Sequence, residues 1–504
     1  MPIAADPFLA TLALIGVVII IAALLSGLIE RSGVPQVGVL LGLGAVLGPY
    51  GLGLIDPKLD SPVLRAVSFL SLTLVLFTDA LGLNLSEIRR HVRLTLLVLG
   101  PGTLLSAVLV TLMAVFLLGL PWPAAAVLGA ALASTDPVLL RGLLRRPDLP
   151  GPARLALRLE SGLNDIVLLP IVLVAMALQG VHAPGEAVTW SRMGLQLFLL
   201  GPGAGVAVGL LGVATLDLVR RRIGVRRDYE SLYSLGIAFA AFAAAEAVHG
   251  SGFLAAFAAG MTISVFDVEL CDCFHEYGET TAEMTLLFTF VLLGSSLIWT
   301  GFDGAGWREV LFAVAVVLVR PIVFLASLWP SRLERRSLLL ISWFGPRGLS
   351  SLLLVLVTVF AGMPGSGRLF ALCSLVVLLS VVLHGGSVMC LKSKDGREPA
   401  VLPEPAPEPA PPRLPVIQTQ EARPAEPAAG PDMSKIPEKI DLAEMLRLRE
   451  MGEPVVVLDA RSARSYDTSG QIAPGTIRLD PERAVQEAER LHLPREAWLV
   501  AFCA

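Results

Sequence analysis

Apolar residues fall into long runs, separated by short polar segments, over residues 8–391 of this 504-residue chain. A helix needs about 20 apolar residues to cross a membrane. By that rule the pattern predicts about thirteen transmembrane helices, so the predicted fold class is an all-α polytopic membrane protein. The weakest division is at 249–252, where almost no loop separates two runs. The predicted spans, one to thirteen, are residues 8–29, 34–49, 62–82, 93–119, 122–144, 155–180, 193–219, 229–248, 251–266, 283–300, 309–329, 336–361 and 367–391.

The composition is typical of a membrane protein. Hydrophobic residues make up 54% of the chain and charged residues 16%, whereas a soluble protein carries about 25% charged residues. The first apolar run is longer than the core of a signal peptide, so we expect it to be retained as a span. The net charge of −4 says little about partners, because the charges are segregated along the chain. We expect a lipid membrane around the protein, no resident cofactor and no nucleic-acid partner.

Basic residues indicate which loops face the cytoplasm, since cytoplasmic loops are enriched in Lys and Arg. The loops after the even-numbered spans two to twelve carry at most one or two basic residues each. We therefore expect the N-terminus outside, residue 392 onward in the cytoplasm, and the protein in the cell membrane. The arginines that support this orientation follow spans three, five, seven and eleven: Arg89, Arg90, Arg93, Arg145, Arg146, Arg154, Arg220, Arg221, Arg222, Arg226, Arg227, Arg332, Arg335 and Arg336.

Two polar clusters interrupt spans five and six. Span five contains Ser134-Thr135-Asp136-Pro137, and span six contains Glu160-Ser161-Gly162-Leu163-Asn164-Asp165. Carboxylates at membrane depth cost about 2.5–3.5 kcal/mol each on insertion scales, and proline breaks a helix. Broken helices in the membrane mark ion sites in transporters. The clusters predict a cation site with oxygen ligands from Thr135, Ser161 and Asp165, while Asp136 can offer a further carboxylate or cap the half-helix that follows it.

The spacing in span six assigns these residues to faces of a helix. Ser161 and Asp165 are four apart and share a face, and Glu160 and Asn164 form a parallel pair. Oxygen ligands suit a hard cation. Asp165 is the best candidate to hold either a proton or a metal ion, and that competition is the basis of exchange. The alternative is that Asp136 and Asp165 are helix caps or hydrogen-bonded anchors.

Span twelve is also broken, at Gly345-Pro346-Arg347-Gly348. Two broken spans in corresponding halves of a chain indicate inverted repeats. A buried arginine needs a counter-ion, and we expect a structural ion pair between Glu160 and Arg347 that holds span six against span twelve. Arg320 in span eleven is a second buried arginine, for which Asp79 and Glu246 are both candidate partners.

These motifs resemble those of the monovalent cation:proton antiporter-1 family, the sodium/proton exchangers, over roughly residues 8–391. The resemblance implies a homodimer with a moving core and with spans five and twelve crossing near the midplane. It implies cation ligands at Thr135, Asp136, Ser161 and Asp165, with Asn164 orienting the site. The Asn164–Asp165 pair implies electroneutral exchange of one Na⁺ (or K⁺ or Li⁺) for one H⁺ by alternating access, and hence a role in pH homeostasis.

The composition changes after the last span. Residues 398–433 hold eleven prolines, so we predict a transmembrane domain over 1–391, a Pro-rich linker over 392–435 and a small α/β segment over 436–504. That segment has predicted strands at 454–458 and 497–502 and resembles a partial rhodanese domain, which implies that Cys503 is the sulfur-carrying nucleophile. Because the chain ends one residue later, we expect no sulfur transfer.

Three hypotheses about the function remain open at this point. The first is an antiporter, which is not an enzyme, with a K⁺-selective form regulated by the tail as a variant. The second is a membrane-tethered sulfurtransferase or sensor. The third is an ion channel. His384 and His249 are interpreted as helix-end residues rather than proton relays.

Overall fold

The structure is a computed structural model that describes most of residues 36–394 and short parts of the C-terminal segment. Within 36–394 the gaps are 84, 145, 147–148, 181–189, 224–226, 267–283 and 332. Outside that range the described residues are 16, 20, 445, 447–448, 454–461, 476–479, 487–488, 490–491 and 498–502. The chain divides into two compact units, Met1–Glu398 and Pro399–Ala504.

The first unit is helical throughout its described elements. Its longest helices are predominantly apolar, as the runs in the sequence predict. In chain order the helices are α1 (Gln36–Leu47), α2 (Pro62–Gly82), α3 (Leu85–Arg90), α4 (Val92–Leu118, with a π-helical turn at Val98–Leu104), α5 (Trp122–Ala133), α6 (Pro137–Leu144), α7 (Gly151–Leu178), α8 (Trp190–Leu195, continuing through a π-turn into Gly201–Arg222), α9 (Arg227–Ala247), α10 (Gly252–Phe266), α11 (Met284–Ser295), α12 (Trp307–Leu328), α13 (Arg335–Trp343), α14 (Leu349–Phe360) and α15 (Ser366–Lys394).

The helices confirm the predicted polytopic class. In the part of the chain that the structure describes, seven helices are long and apolar enough to cross a membrane, and five shorter helices are apolar. Predicted spans two to thirteen each coincide with one of these helices, or with two where a span is broken. The first predicted span lies almost wholly outside the described residues, so the total of thirteen stays a prediction.

The division predicted at 249–252 is present. Helix α9 ends at Ala247 and α10 begins at Gly252. His249 has a φ of 59°, a left-handed conformation that a non-glycine residue rarely adopts and that reverses the chain here. The Gly252 N–H donates to Glu246 Oε1 at 3.0 Å. Glu246 therefore stabilises the start of α10 and is not the partner of Arg320.

The helices pack in two groups. Helices α8 and α9 pack on α10, and α10 packs on α2. A Cβ at Gly205 of α8 would collide with the carbonyl oxygen of Ala255, so glycine is required for this close approach of backbones. The second group contains α4, α5, α7 and α12–α15. Helix α2 also contacts α7 and α14, so it joins the two groups.

The described part of the second unit is a small parallel sheet. Strands β1 (Val455–Asp459), β2 (Ile477–Arg478) and β3 (Trp498–Phe502) lie in the order β2-β1-β3. Both predicted strands are confirmed, and Leu499 of the second is 47% exposed. The rhodanese resemblance stays a prediction, and Cys503 lies outside the described residues.

Candidate cation site at two broken helices

Prolines break spans five and twelve, and the two breaks contact each other. Helix α5 ends at Ala133 and α6 begins at Pro137, while α13 ends at Trp343 and α14 begins at Leu349. Proline lacks an N–H and disfavours a helical residue before it, which accounts for the extended chain before Pro137. The Asp136 N–H donates to the carbonyl oxygen of Pro346 at 2.9 Å. The predicted crossing of two broken spans is thus a direct backbone contact.

Asp136 caps two half-helices at once. Its Oδ1 accepts from the N–H of Val138 at 2.8 Å, and its Oδ2 accepts from the N–H of Leu349 at 2.5 Å. These N–H groups belong to the first turns of α6 and α14, where unpaired amides and the helix dipole favour a negative charge. A Cβ at Gly348 would collide with the Asp136 carboxylate. The geometry matches the helix-cap reading, and the role of Asp136 as a cation ligand stays a prediction.

Arg347 occupies the opposite end of the break in span five. Its guanidinium Nη1 donates to the carbonyl oxygens of Ala133 and Ser134, both at 3.2 Å. These carbonyls end helix α5, where the dipole favours a positive charge. Span five thus supplies a carboxylate for the first turn of α14, and span twelve supplies a guanidinium for the last turn of α5.

The predicted ion pair between Glu160 and Arg347 is wrong, because Glu160 pairs with Arg320 instead. Arg320 donates from Nη1 to Glu160 Oε1 and from Nη2 to Glu160 Oε2, the latter at 2.8 Å. The physical reason is that the break places Arg347 beside the unpaired carbonyls of α5. Arg320 from α12 is therefore left as the guanidinium that neutralises Glu160.

Arg320 has further partners besides Glu160. Its Nη2 also donates to the carbonyl oxygens of Ile341 and Phe344, both at 3.1 Å. Its Cζ lies 4.1 Å from the ring centroid of Phe324, within the range of a cation–π contact. A Cβ at Gly345 would overlap this guanidinium. The pair therefore joins α7 to α12 and to the end of α13, which is the scaffolding role predicted for Glu160 with a different partner.

Asp165 and Asn164 contact consecutive residues of the break in span five. The Ser134 Oγ–H donates to Asp165 Oδ1 at 2.6 Å. Asn164 Nδ2 donates to Thr135 Oγ1 at 2.8 Å and to the Thr135 carbonyl oxygen at 3.3 Å. The predicted site residues Thr135, Asn164 and Asp165 are therefore brought together.

Two acceptor atoms of this cluster are left without donors. Asp165 Oδ2 and Asn164 Oδ1 are buried and have no hydrogen-bond partner among the residues that the structure describes. A buried acceptor without a donor is costly, at about 1–3 kcal/mol, and such groups in native proteins call for an explanation. A cation or a proton at Asp165 would satisfy that carboxylate, so the donor set fits a small hard cation as cargo.

Ser161 lies apart from this hydrogen-bond network, although it is buried. Its Oγ donates to the carbonyl oxygen of Arg158 at 3.3 Å within α7, and its role as a ligand stays a prediction. The hydroxyls of Ser134 and of Ser350 in α14 lie beside Asp165 instead, and the sequence did not predict either as a site residue. Ser134 directly precedes Thr135-Asp136, and its place at the break is the signal that identifies it.

Comparison with known proteins assigns the fold and the family. A family model described as the transmembrane sodium/hydrogen exchanger matches residues 17–392. The structure of the sodium proton antiporter MjNhaP1 from Methanocaldococcus jannaschii at pH 8 is similar, with a TM-score of 0.64 and 19% identity. That likeness covers 76% of this chain and 100% of the other.

Curated relatives are antiporters. The K(+)/H(+) antiporter NhaP of Alkalimonas amylolytica is 26% identical over 381 residues, which are 75% of this chain and 65% of that protein. NhaP2 of Shewanella sp. (strain MR-4), also named a K(+)/H(+) antiporter, is 27% identical over 383 residues, or 73% of this chain and 64% of that protein. Na(+)/H(+) antiporter 2 of Zygosaccharomyces rouxii is 25% identical and is matched over 68% of this chain and 48% of its own length. The chain thus spans about two thirds or less of these relatives, and it belongs to the transmembrane sodium/hydrogen exchanger family.

Proposed function

We propose that this chain exchanges Na⁺ or another monovalent cation for H⁺ across the cell membrane, and that Asp165 binds the cation and the proton in turn. The observation that carries this proposal is the state of the Asp165 carboxylate. Its Oδ1 accepts from the Ser134 hydroxyl, the Ser350 hydroxyl lies nearby, and its Oδ2 is buried with no hydrogen-bond partner among the described residues. Asp136 and Glu160, by contrast, are held by backbone amides and by a guanidinium.

The buried charges support exchange of one cation for one proton. Within the described parts of 36–394, three carboxylates and two guanidiniums are buried, which leaves one negative charge when all are ionised. One proton or one monovalent cation neutralises that charge. Because net charge in a membrane is costly, both loaded forms are suited to carry the site across, and the exchange is electroneutral. The five residues are Asp136, Glu160, Asp165, Arg320 and Arg347.

Alternating access is the mechanism that fits this site. The contacts of Asp136 with α14 and of Arg347 with α5 hold the two breaks together. Spans five and twelve would therefore move as one body together with Asp165. Broken helices of this kind hold the ion site in transporters whose repeats rock against each other. We further propose a homodimer, an external N-terminus and a cytoplasmic tail, on the family resemblance and the distribution of arginines.

The transported ion is Na⁺ in this proposal, with K⁺ and Li⁺ as the alternatives. Oxygen ligands serve all three ions, and selectivity depends on the size of the cavity and the number of ligands. Relatives named for K⁺ and for Na⁺ exchange both resemble this chain, so the proposal includes a test of each ion.

The test is proton flux in liposomes that contain the purified protein, driven in turn by gradients of Na⁺, K⁺ and Li⁺ at several pH values. We expect cation-driven proton flux in the wild type and its loss in Asp165→Asn. Asp303→Asn, the same change at an exposed residue, is the matched control. Robust exchange by Asp165→Asn would contradict the proposal that Asp165 binds the cation and the proton. Cation flux without a stoichiometric proton counter-flux would indicate a channel.

A further inference from the structure

The last helix of the first unit carries a pair of polar residues that the cation site does not use. Ser380 and His384 are four residues apart on α15, so they share a face, and both are buried, with exposures of 0% and 5%. They face the break in span twelve. Buried polar groups are costly unless they are hydrogen-bonded, so the partners of this pair identify what it contacts.

Their hydrogen bonds reach both sides of that break. Ser380 Oγ accepts from the Arg347 N–H at 2.7 Å, on the side where α14 begins. His384 Nε2 lies 3.1 Å from the carbonyl oxygen of Trp343, on the side where α13 ends. Since a carbonyl can only accept, the ring can donate to Trp343 from Nε2. His384 Nδ1 lies 3.0 Å from Ser380 Oγ and 3.0 Å from the carbonyl oxygen of Ser380, so the ring contacts both the hydroxyl and the backbone of that residue.

The segment that this pair holds is the one that contacts span five. The Arg347 guanidinium binds the carbonyls of Ala133 and Ser134, and the Leu349 N–H binds Asp136. Ser134 in turn donates to Asp165. Through Arg347 and Ser134, hydrogen bonds therefore link α15 and both breaks to the candidate ion-binding carboxylate.

We propose that Ser380 and His384 are positioning residues that fix the break in span twelve against α15 and thereby set the geometry of the cation site. This inference rests on the proposed exchange function. Without Ser380 Oγ, the buried Arg347 N–H loses its acceptor, and the segment shifts to find another. The consequence is a distorted site rather than an unfolded protein, because the helices on either side keep their packing.

The test compares two serine variants of the same helix. Ser380→Ala removes the hydroxyl that holds Arg347. Ser374→Ala removes an equally buried hydroxyl six residues earlier, whose Oγ has no hydrogen-bond partner in the described part of the chain. Both are measured as the full chain in liposomes, for cation KM and maximal rate, and in detergent, for the melting temperature without cation and its rise with cation.

We expect Ser380→Ala to raise the cation KM by about tenfold, which corresponds to about 1.4 kcal/mol, and to reduce the rise in melting temperature on adding cation. Its melting temperature without cation should stay close to that of Ser374→Ala. His384→Gln, whose amide can still donate to the carbonyl oxygen of Trp343, should retain most of the affinity, whereas His384→Ala should not.

Each outcome decides one question. A lower melting temperature with an unchanged cation KM in Ser380→Ala and His384→Ala would show a merely structural role and overturn the inference. Equal KM values for Ser380→Ala and Ser374→Ala would overturn it as well, while the exchange function stands. Absence of cation-driven proton flux in the wild type would overturn the exchange function and the inference together.

Discussion

Glu160→Gln isolates the contribution of the buried pair with Arg320. The change removes the negative charge and keeps the shape of the side chain. Glu160 is 1% exposed and Arg320 2% exposed, so water cannot take the place of the carboxylate. The guanidinium keeps the carbonyls of Ile341 and Phe344 and the face of Phe324, all of which are neutral.

The expected loss in the free energy of unfolding follows from this burial. Removing one partner of a buried ion pair costs about 3–5 kcal/mol, because the other charge is left uncompensated. A glutamine oxygen can still accept one of the two hydrogen bonds, which favours the lower end, about 3 kcal/mol. The matched control is Arg368→Gln, which breaks the 3.8 Å pair with Glu309 at a position where Arg368 is 55% exposed. Exposed pairs contribute about 0–1 kcal/mol.

The assay is equilibrium unfolding of the purified variants in detergent, with the cation KM measured in parallel in liposomes. We expect Glu160→Gln to lose stability and to keep its KM for the fraction that folds. The double variant Glu160→Met with Arg320→Met should be more stable than Glu160→Gln, since it leaves no unpaired charge.

One result would refute this reasoning. If Glu160→Gln unfolds like Arg368→Gln but shows a raised cation KM, then Glu160 contributes to the ion site and the pair is not a scaffold.

Three further predictions follow from the site and the tail. Gly348→Ala should lose about 1–3 kcal/mol of stability in a detergent unfolding assay, because the added methyl collides with Asp136; Gly142→Ala, whose methyl would meet no neighbour, should not. Asp136→Ala should lower both stability and the maximal rate of exchange, since two helix starts lose their cap, and an unchanged thermal midpoint would contradict the double cap. In the tail, hydrogen bonding to Arg461 lowers the pKa of Asp459, so its stabilisation is complete above the unfolded pKa of about 3.9 and is lost as pH falls through the lower folded value. Hydrogen exchange of Val455–Asp459, corrected for intrinsic rates, should therefore rise on acidification in the wild type, and the rise should be smaller in Arg461→Gln, which lacks this stabilisation already at neutral pH.

Periodicity and proline positions predict the helices and the breaks, because both depend on local chemistry. Pro137 ends α5 early and Pro346 separates α13 from α14, and neither effect needs knowledge of the neighbours. The partner of Glu160 could not be predicted in this way. Arg320 and Arg347 are both buried guanidiniums in the second half of the chain, and charge alone does not distinguish them. What distinguishes them is the end of α5, whose unpaired carbonyls bind Arg347, and the sequence does not show where that end lies in space.

The sequence also does not show which of the three buried carboxylates is available to bind an ion, whereas their hydrogen bonds in the structure do distinguish them. Asp136, Glu160 and Asp165 have similar surroundings in the sequence, but their oxygens differ in what they already bind. Asp136 accepts from two backbone amides and Glu160 from a guanidinium, whereas Asp165 accepts on one oxygen from Ser134 and has no described donor on the other. The Ser134 carbonyl oxygen also accepts a hydrogen bond from the Arg347 guanidinium. In the proposed mechanism, a cation or proton that competes with the Ser134 hydroxyl for Asp165 would act on a residue that span twelve also contacts, and occupancy of the site would be coupled to the geometry of both broken helices.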